Sequence, residues 1–184
     1  RYAQYFIEKN GEGILAFINP HGFLDNPTFR GMRWNLLKTY DKIYTIDLHG
    51  NSKKKEVAPD GTKDENVFDI MQGVSINFFV KIGTKTQNEL GKVFHFDLYG
   101  NRERKYKFLS FNNLETVSFK ALKPIKPNFF FTYKDFIIFE EYQKGFSIAE
   151  LFPVNSVGIV TARDKFTIHD TKKKLNSTIE KFLE

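Results

Sequence analysis

An apolar run of strand length, GILAFIN at residues 13–19, constrains the fold of this chain more than any other segment. Apolar residues on both faces are typical of a strand that is covered on both sides, as in α/β proteins. Asn26-Pro27 then supplies an N-cap and a first-turn proline, and apolar residues repeat at helical spacing from Phe29 to Tyr40. A second strand, KIYTIDLHG, follows. Strand, helix and strand in this order predict a βαβ unit with a parallel sheet.

The rest of the chain extends this α/β pattern and then changes character. A polar loop at residues 51–66 leads into a third strand, VSINFFVKI. The segment KVFHFDLYGNRERKYKFL, with a turn at Gly100-Asn101, predicts an antiparallel hairpin. DLHGN, from Asp47, and DLYGN, from Asp97, are similar, but their flanks differ, so we interpret them as two strand ends with similar turns.

From about residue 122 the sequence predicts a small mixed α/β region. An extended, proline-punctuated stretch precedes a short helix that ends at Gly145 and a turn with a Ser147/Glu150 capping box. VGIVTARDKFTIH predicts a strand or hairpin, and a helix capped by Asp170 closes the chain. We therefore expect two domains, 1–121 and 122–184.

Composition excludes several classes of site. The absence of cysteine excludes disulfides and thiolate metal sites, and the four histidines show no ligand spacing. No apolar run is long enough to span a membrane, and no leader is visible, which fits a cytoplasmic protein. Because the chain begins at Arg1 without an initiator methionine, we expect it to be a piece of a longer polypeptide.

The charge balance favours a polyanionic partner. The formal net charge is +6 and 21 residues are phenylalanine, a combination that suits a nucleic-acid surface with exposed aromatics. Lys172–Lys174 is interpreted as a solvated face. Two other clusters are candidate phosphate contacts, the second because it alternates with Tyr106 and Phe108 in the predicted hairpin. Their members are Lys53, Lys54 and Lys55, and Arg102, Arg104, Lys105 and Lys107.

Few motifs point to catalysis. Neither GxGxxG nor GxxxxGK[ST] occurs, so no phosphate-cradling loop is predicted. Pro59-Asp60 and Glu103-Arg104-Lys105 spell a PD…ExK arrangement, which could hold Mg²⁺ for a nuclease. PDG is also a common turn tripeptide, and a whole strand separates the two halves, so a nuclease is the weaker interpretation.

Four pieces of sequence, in order, carry a resemblance to a known family. GxLAFINP, FRGMRxxLL, DLHGN and NVFDI resemble the second half of the catalytic domain of N6-adenine-specific DNA methyltransferases. The likeness is to large single-chain restriction–modification enzymes that join nuclease, helicase-like and methyltransferase parts. It covers about residues 2–83 and continues more loosely to VGIVTARDKF, which resembles the entry to the family's target-recognition region.

The resemblance implies a fold and a set of site residues. It implies the last strands of a Rossmann-like methyltransferase sheet, with residues 16–18 on its fifth strand and a loop beyond it at the substrate cleft. Phe68, in NVFDI, would stack on an adenine flipped out of the duplex. We expect Asn66 to keep this loop wet and mobile until DNA arrives. The cleft loop contributes Asn19, Pro20, His21 and Phe23. The DNA contacts are Asn66 and the two basic clusters, with Thr161 and Arg163 at the start of the recognition region.

The departures from the family pattern are equally informative. The Gly-x-Gly cofactor loop and the Asn-Pro-Pro-aromatic catalytic tetrad are absent. INPHGF lacks the second proline and follows the wrong strand, so Asn19 is not assigned a catalytic role. We expect both motifs upstream in the same polypeptide and no catalytic residue in this chain. Alone, the chain would bind S-adenosylmethionine poorly and transfer nothing.

The expected function of the intact enzyme is methyl transfer from S-adenosylmethionine to the N6 amine of adenine in double-stranded DNA. The alternative is a non-catalytic nucleic-acid-binding α/β module with the same basic and aromatic surface. Substitution of Phe68 separates the two, because only the first interpretation needs a stacked base.

Overall fold

The computed structural model describes residues 2–86, 88–156, 158 and 161–183. Contacts within the chain divide it into two compact units, residues 1–134 and 135–184, which are described separately below. The first unit contains the sheet, and the second contains short helices only among its described residues. The domain boundary at 121/122 stays a prediction.

A five-stranded mixed sheet organises the first unit. Its strands are β1 (Gly13–Pro20), β2 (Lys42–Asp47), β3 (Val74–Lys81), β4 (Lys92–Asp97) and β5 (Lys120–Leu122). The spatial order is β1-β3-β2-β4-β5, with β3 antiparallel to both β1 and β2, β2 parallel to β4, and β5 antiparallel to β4. The helices are α1 (Tyr2–Asn10), α2 (Arg30–Thr39) and α3 (Arg102–Phe111). The predicted α/β class is confirmed.

The two strands of the predicted βαβ unit are parallel, as expected, but they are not neighbours in the sheet. β1 and β2 run the same way and are joined through α2, yet β3 lies between them and pairs with both. Asn26 caps the turn before α2 as predicted, since its side chain accepts the N–H of Thr28 at 2.9 Å. The insertion of an antiparallel strand could not be read from local patterns, because strand order depends on long-range pairing.

The predicted hairpin at residues 92–109 is wrong. β4 pairs in parallel with β2, and the residues after Gly100 form helix α3 instead of a returning strand. Asn101 is the N-cap of that helix, and its side chain accepts the N–H of Arg104 at 2.9 Å. The helix escaped detection because its one buried residue is Lys105, so its core-facing side carries a charge where the helical pattern requires an apolar residue.

We expect Asn101→Ala to lower the free energy of unfolding by about 1 kcal/mol, because the first turn of α3 loses its capping acceptor. The midpoint of urea denaturation measures this loss. Asn112→Ala is a suitable comparison, since Asn112 contacts the other end of the helix through the carbonyl of Phe108. An Asn101→Ala midpoint equal to that of the parent would contradict the capping role.

Buried apolar side chains form two clusters against the sheet. The first lies around α2 and contains Leu37, Tyr40, Ile43, Phe79 and Phe131 among others. Arg33 is fully buried beside it, where its guanidinium donates to the carbonyls of Phe23, Asn26 and Asn128. The second cluster lies towards the carboxyl ends of β2 and β4. Its buried members are Ile46, Leu48, Val67, Val74, Leu98 and Val117.

The second unit contains four helices among its described residues. They are α4 (Phe139–Tyr142), α5 (Ile148–Leu151), α6 (Asp164–Thr167) and α7 (Lys172–Leu183). The capping box of Ser147 and Glu150 is confirmed. The strand or hairpin predicted over residues 157–169 is wrong where the structure describes it, because residues 164–167 are helical; residues 157, 159 and 160 lie outside the described residues.

Across the described part of the chain, the helices are all too short or too polar to cross a lipid bilayer.

Candidate functional site

Two five-residue turns meet side by side at one edge of the sheet. DLHGN (47–51) ends β2 and DLYGN (97–101) ends β4, and the parallel register pairs Asp47 with Asp97. Both glycines, Gly50 and Gly100, have positive φ, and the two asparagines each cap the helical turn that follows. The interpretation as two strand ends is confirmed. Because the carboxyl ends of parallel strands meet at one sheet edge, their side chains converge there.

His49 is the centre of this convergence. Its Nδ1 lies 2.8 Å from Glu56 Oε1 and its Nε2 lies 2.9 Å from Asp97 Oδ1. The ring also stacks on Tyr99, with ring centroids 3.8 Å apart and planes 13° apart. A histidine that donates from both ring nitrogens must be protonated, so His49 is an imidazolium held between two carboxylates and above an aromatic face.

The ionisation of the cluster follows from this arrangement. Burial alone lowers the pKa of His49, but hydrogen bonds to Asp97 and Glu56 and the charge of Asp47 outweigh it and raise the pKa to about 9. Burial raises the pKa of Glu56, but the hydrogen bonds from His49 and from the Asn51 N–H lower it to about 2. The pKa of Asp97 is likewise lowered, since the hydrogen bonds from His49 and His95 outweigh its burial.

Two sets of side chains could in principle hold a metal ion among the residues that the structure describes. They are His21, His49 and Glu56, and Asp47, His49 and Asp97, with ligand atoms within 4.8 Å of one another. His49 belongs to both sets, and its two ring nitrogens already donate to carboxylates. Because a metal ligand must be a neutral imidazole, binding of a cation by either set would displace a proton from His49.

A second loop, residues 64–72, packs against these turns and presents Phe68. The amide of Asn66 donates to the carbonyls of Gly50 and Gln72 at 3.2 and 2.8 Å, while its Oδ1 accepts the N–H of Phe68 at 2.9 Å. A Cβ on Gly50 would lie 2.4 Å from the Cα of Asn66, so this close approach requires glycine. The Phe68 side chain is nevertheless 42% exposed.

The exposed ring borders an open cavity of about 580 Å³. Its lining mixes polar residues, among them Ser52, Asp69 and Arg102, with the exposed apolar side chains of Ile70 and Met71. Arg102 and Asp69 form an ion pair of 2.7 Å. An exposed aromatic face in a solvent-accessible hollow can stack on a flat ligand without first breaking core packing.

The structure is compatible with part of the predicted DNA-contact set. Lys53 and Lys54 lie on a 3₁₀ turn (Ser52–Lys54) that follows Asn51, and Lys55 comes next with positive φ; all three are exposed. Arg104 and Lys107 are exposed on α3. Phosphate contact by these five residues stays a prediction.

Two predicted contacts need correction because burial removes them. Lys105 is fully buried, and its Nζ lies 2.8 Å from Asp64 Oδ1, so it cannot reach a phosphate. The weaker nuclease interpretation loses its lysine in the same way. Asn66 is buried, and its amide binds the carbonyls of Gly50 and Gln72. Arg102 binds Asn66 O and Asp69, but this ion pair is open to solvent, so phosphate contact by Arg102 stays a prediction.

The predicted cleft loop is only partly at the surface. Pro20 is exposed, and Asn19 accepts a hydrogen bond from Asn77 at 2.7 Å at the end of β1. His21 is buried and its Nδ1 lies 2.9 Å from Asp47 Oδ1, next to the turn that carries His49. The prediction that Phe23 lines the cleft is wrong, because Phe23 is a core residue, 4% exposed, and packs edge-on against Phe131.

Thr161 and Arg163 belong to the second unit. The Thr161 hydroxyl bonds Asp164 and accepts the N–H of Arg163, so the two residues form the turn that begins α6. The Arg163 side chain is exposed. Their role in DNA contact stays a prediction.

The sequence predicted no site role for five residues of this region, His49, Glu56, Asp64, Tyr99 and Tyr106. For His49 and Tyr99 the repeated D-L-x-G-N pattern was the available signal, because it places both at the same position after a strand end. That the two strands are parallel neighbours, which brings His49 and Tyr99 side by side, depends on long-range pairing.

Comparisons with known proteins show structures of the same fold but no matching protein family. No protein-family model matches the chain, and no curated protein matches it. Among solved structures, the Type ISP restriction-modification enzyme LlaBIII, which is ATP-dependent and bound to DNA, matches 97% of this chain with a TM-score of 0.70 and 23% identity.

Two further structures match over nearly the same range. A DrdV–DNA complex matches 99% of this chain with a TM-score of 0.67 and 22% identity. A nuclease-deletion mutant of the Type ISP enzyme LlaGI, in complex with a DNA substrate mimic, matches 93% with a TM-score of 0.65 and 20% identity. The chain spans 19%, 12% and 16% of the DrdV, LlaBIII and LlaGI chains respectively. It therefore has the fold of one segment of these much larger proteins.

Proposed function

We propose that this chain is part of a restriction–modification enzyme that acts on double-stranded DNA, and that it belongs to the part that methylates adenine at N6. The observation that carries the proposal is Phe68, an exposed aromatic side chain on a hydrogen-bonded loop at the carboxyl ends of two parallel strands. Ligands of open α/β sheets bind at this edge. The DNA-bound state of the matched structures and the order of the family-like motifs support the same conclusion.

The part of this chain in the reaction is to receive the base. A base must leave the duplex before chemistry on its exocyclic amine, and extrusion costs a few kcal/mol. Stacking on Phe68 would return about 1–3 kcal/mol of that cost. The exposed Lys53 to Lys55 would hold phosphates, with a strong dependence on salt. Other parts of the same polypeptide would bind S-adenosylmethionine and supply the catalytic tetrad.

Phe68→Ala tests the proposal in the full polypeptide. We expect methyl transfer to fall roughly 5- to 150-fold, the equivalent of the lost stacking energy. With 2-aminopurine in place of the target adenine, the fluorescence rise that accompanies flipping should fall as well. Phe68→Trp keeps a stacking face and should retain most of the methyl transfer.

Phe111→Ala is the matched control, because Phe111 is also an exposed phenylalanine, 78% accessible, but lies on α3 away from the loop. Unchanged methylation in Phe68→Ala would sink the base-stacking role. If the intact polypeptide binds DNA in a salt-dependent way but transfers no methyl group, the chain is instead a non-catalytic nucleic-acid-binding module.

A further inference from the structure

Three side chains of helix α3 bind three consecutive backbone carbonyls of the loop that leads to Phe68. Lys105 Nζ donates to the carbonyl of Glu65 at 2.6 Å, Arg102 Nε to that of Asn66 at 2.9 Å, and the Tyr106 hydroxyl to that of Val67 at 2.6 Å. Three successive carbonyls before Phe68 are thus each fixed by one side chain of the same helix. We propose that α3 is a clamp that holds Phe68 in its stacking position before DNA binds, with Arg102 and Tyr106 as positioning residues.

The clamp also holds the loop beyond the ring. Arg102 Nη2 donates to Asp69 Oδ1 at 2.7 Å, so one guanidinium bridges the residues two before and one after Phe68. The Phe68 N–H is bound by Asn66 Oδ1. The backbone leading to Phe68 is therefore held through its carbonyls and the Phe68 N–H, and the residue after it is held through its side chain, while the ring remains exposed.

The orientation of α3 is itself fixed by the D-L-Y-G-N turn. Asn101 caps the helix, and Gly100 accepts the N–H of Glu65 through its carbonyl at 3.0 Å. Asp64, the residue before, accepts the N–H of Gly100 at 2.7 Å. The loop and the helix are thus joined at the helix N-terminus as well as along its side, which places Arg102 and Tyr106 opposite the carbonyls that they bind.

The functional consequence concerns when the loop becomes ordered. A mobile loop would lose conformational freedom at the moment of base capture, and that loss would weaken binding. A loop ordered in advance avoids it. The clamp replaces the expectation that this loop is mobile, and it rests on the proposed function, since positioning matters only if Phe68 receives a base.

The test compares Tyr106→Phe, Arg102→Met and the double variant in the full polypeptide. Tyr106→Phe removes one hydroxyl and no ring volume, so it tests the clamp even if the double variant fails to fold. Hydrogen exchange at amides 66–69, without DNA, should accelerate about tenfold in the double variant and less in each single one. Ser110→Ala is the control, because the Ser110 hydroxyl donates to the carbonyl of Lys107 within α3.

The second readout is base capture with 2-aminopurine at the target position. We expect the double variant to reduce the fluorescence rise at subsaturating DNA about tenfold and to raise KM for DNA, while kcat at saturation changes much less. Unchanged exchange at amides 66–69 would overturn the clamp. Faster exchange with normal base capture would overturn its positioning role.

Phe68→Ala in the same assay separates the two levels of inference. If Phe68→Ala abolishes the fluorescence rise and the clamp variants leave it intact, only the clamp fails. If neither changes the rise although exchange is faster, the proposed stacking function fails, and the clamp is reduced to a structural contact.

Discussion

Lys105→Met should lower the free energy of unfolding of this fold by about 3–5 kcal/mol, the usual cost of removing one partner from a buried ion pair. Lys105 and Asp64 have fully buried side chains, and their charged atoms lie 2.8 Å apart. Lys105 also donates to the carbonyls of Leu48 and Glu65, both at 2.6 Å. Methionine keeps the length of the stem but leaves the buried Asp64 carboxylate without its cation, with the Gly100 N–H as its remaining partner. The midpoint of urea denaturation measures the loss.

Lys107→Met is the matched control, because it removes the same charge from an exposed position of the same helix. Its effect on unfolding should stay within about 0.5 kcal/mol. Adding Asp64→Asn to Lys105→Met should restore part of the lost stability, since the unpaired charge is then gone. A Lys105→Met protein as stable as the Lys107→Met protein would refute the buried pair.

The wrong hairpin prediction shows which interactions cannot be predicted from local sequence patterns. The alternation of charged and aromatic residues in RERKYKFL favours a returning strand. The helical periodicity of this segment is concealed, because the position that faces the interior is Lys105, and burial of a lysine depends on Asp64, 41 residues earlier in the chain. Sequence patterns use only residues that are close along the chain. They therefore cannot predict an ion pair between two distant segments.

Local signals predicted much of the rest. The N-cap at Asn26, the capping box at Ser147 and strand β3 all depend on residues within a few positions of one another. The candidate site divides in the same way. The loop position of Phe68 could be inferred, but the burial of Asn66 and the clamp by Arg102 depend on how the loop and α3 meet.

His49 gives the second large expected effect, a stability that depends on pH between about 6 and 9. The pKa of His49 is about 9 in the folded chain against 6.5 as the ordinary value. A raised pKa means that the folded state binds the proton more tightly, so the stabilisation is complete below pH 6.5 and is lost as the pH rises through 9. The difference corresponds to about 3 kcal/mol at most.

The acidic side of the same cluster has the opposite sign. The pKa of Glu56 is about 2 against an ordinary 4.5, so its stabilisation is complete above pH 4.5 and is lost as the pH falls towards 2. Asp97, whose pKa is also lowered, acts in the same direction. The cluster therefore stabilises the fold most between about pH 4.5 and 6.5.

His49→Gln tests this assignment through the alkaline limb of the profile. Glutamine keeps a polar side chain of similar reach but cannot carry the charge, so its unfolding free energy should vary much less between pH 6.5 and 9 than that of the parent. The comparison stays below the ordinary tyrosine pKa of 10, because buried Tyr40 and stacked Tyr99 have raised pKa values and would add their own destabilisation above it. His169→Gln, at a half-buried histidine of the second unit, should leave the slope intact. If the parent and His49→Gln lose stability in parallel from pH 6.5 to 9, the proton is not on His49, and the two metal-ligand sets that share it become the next hypothesis to test.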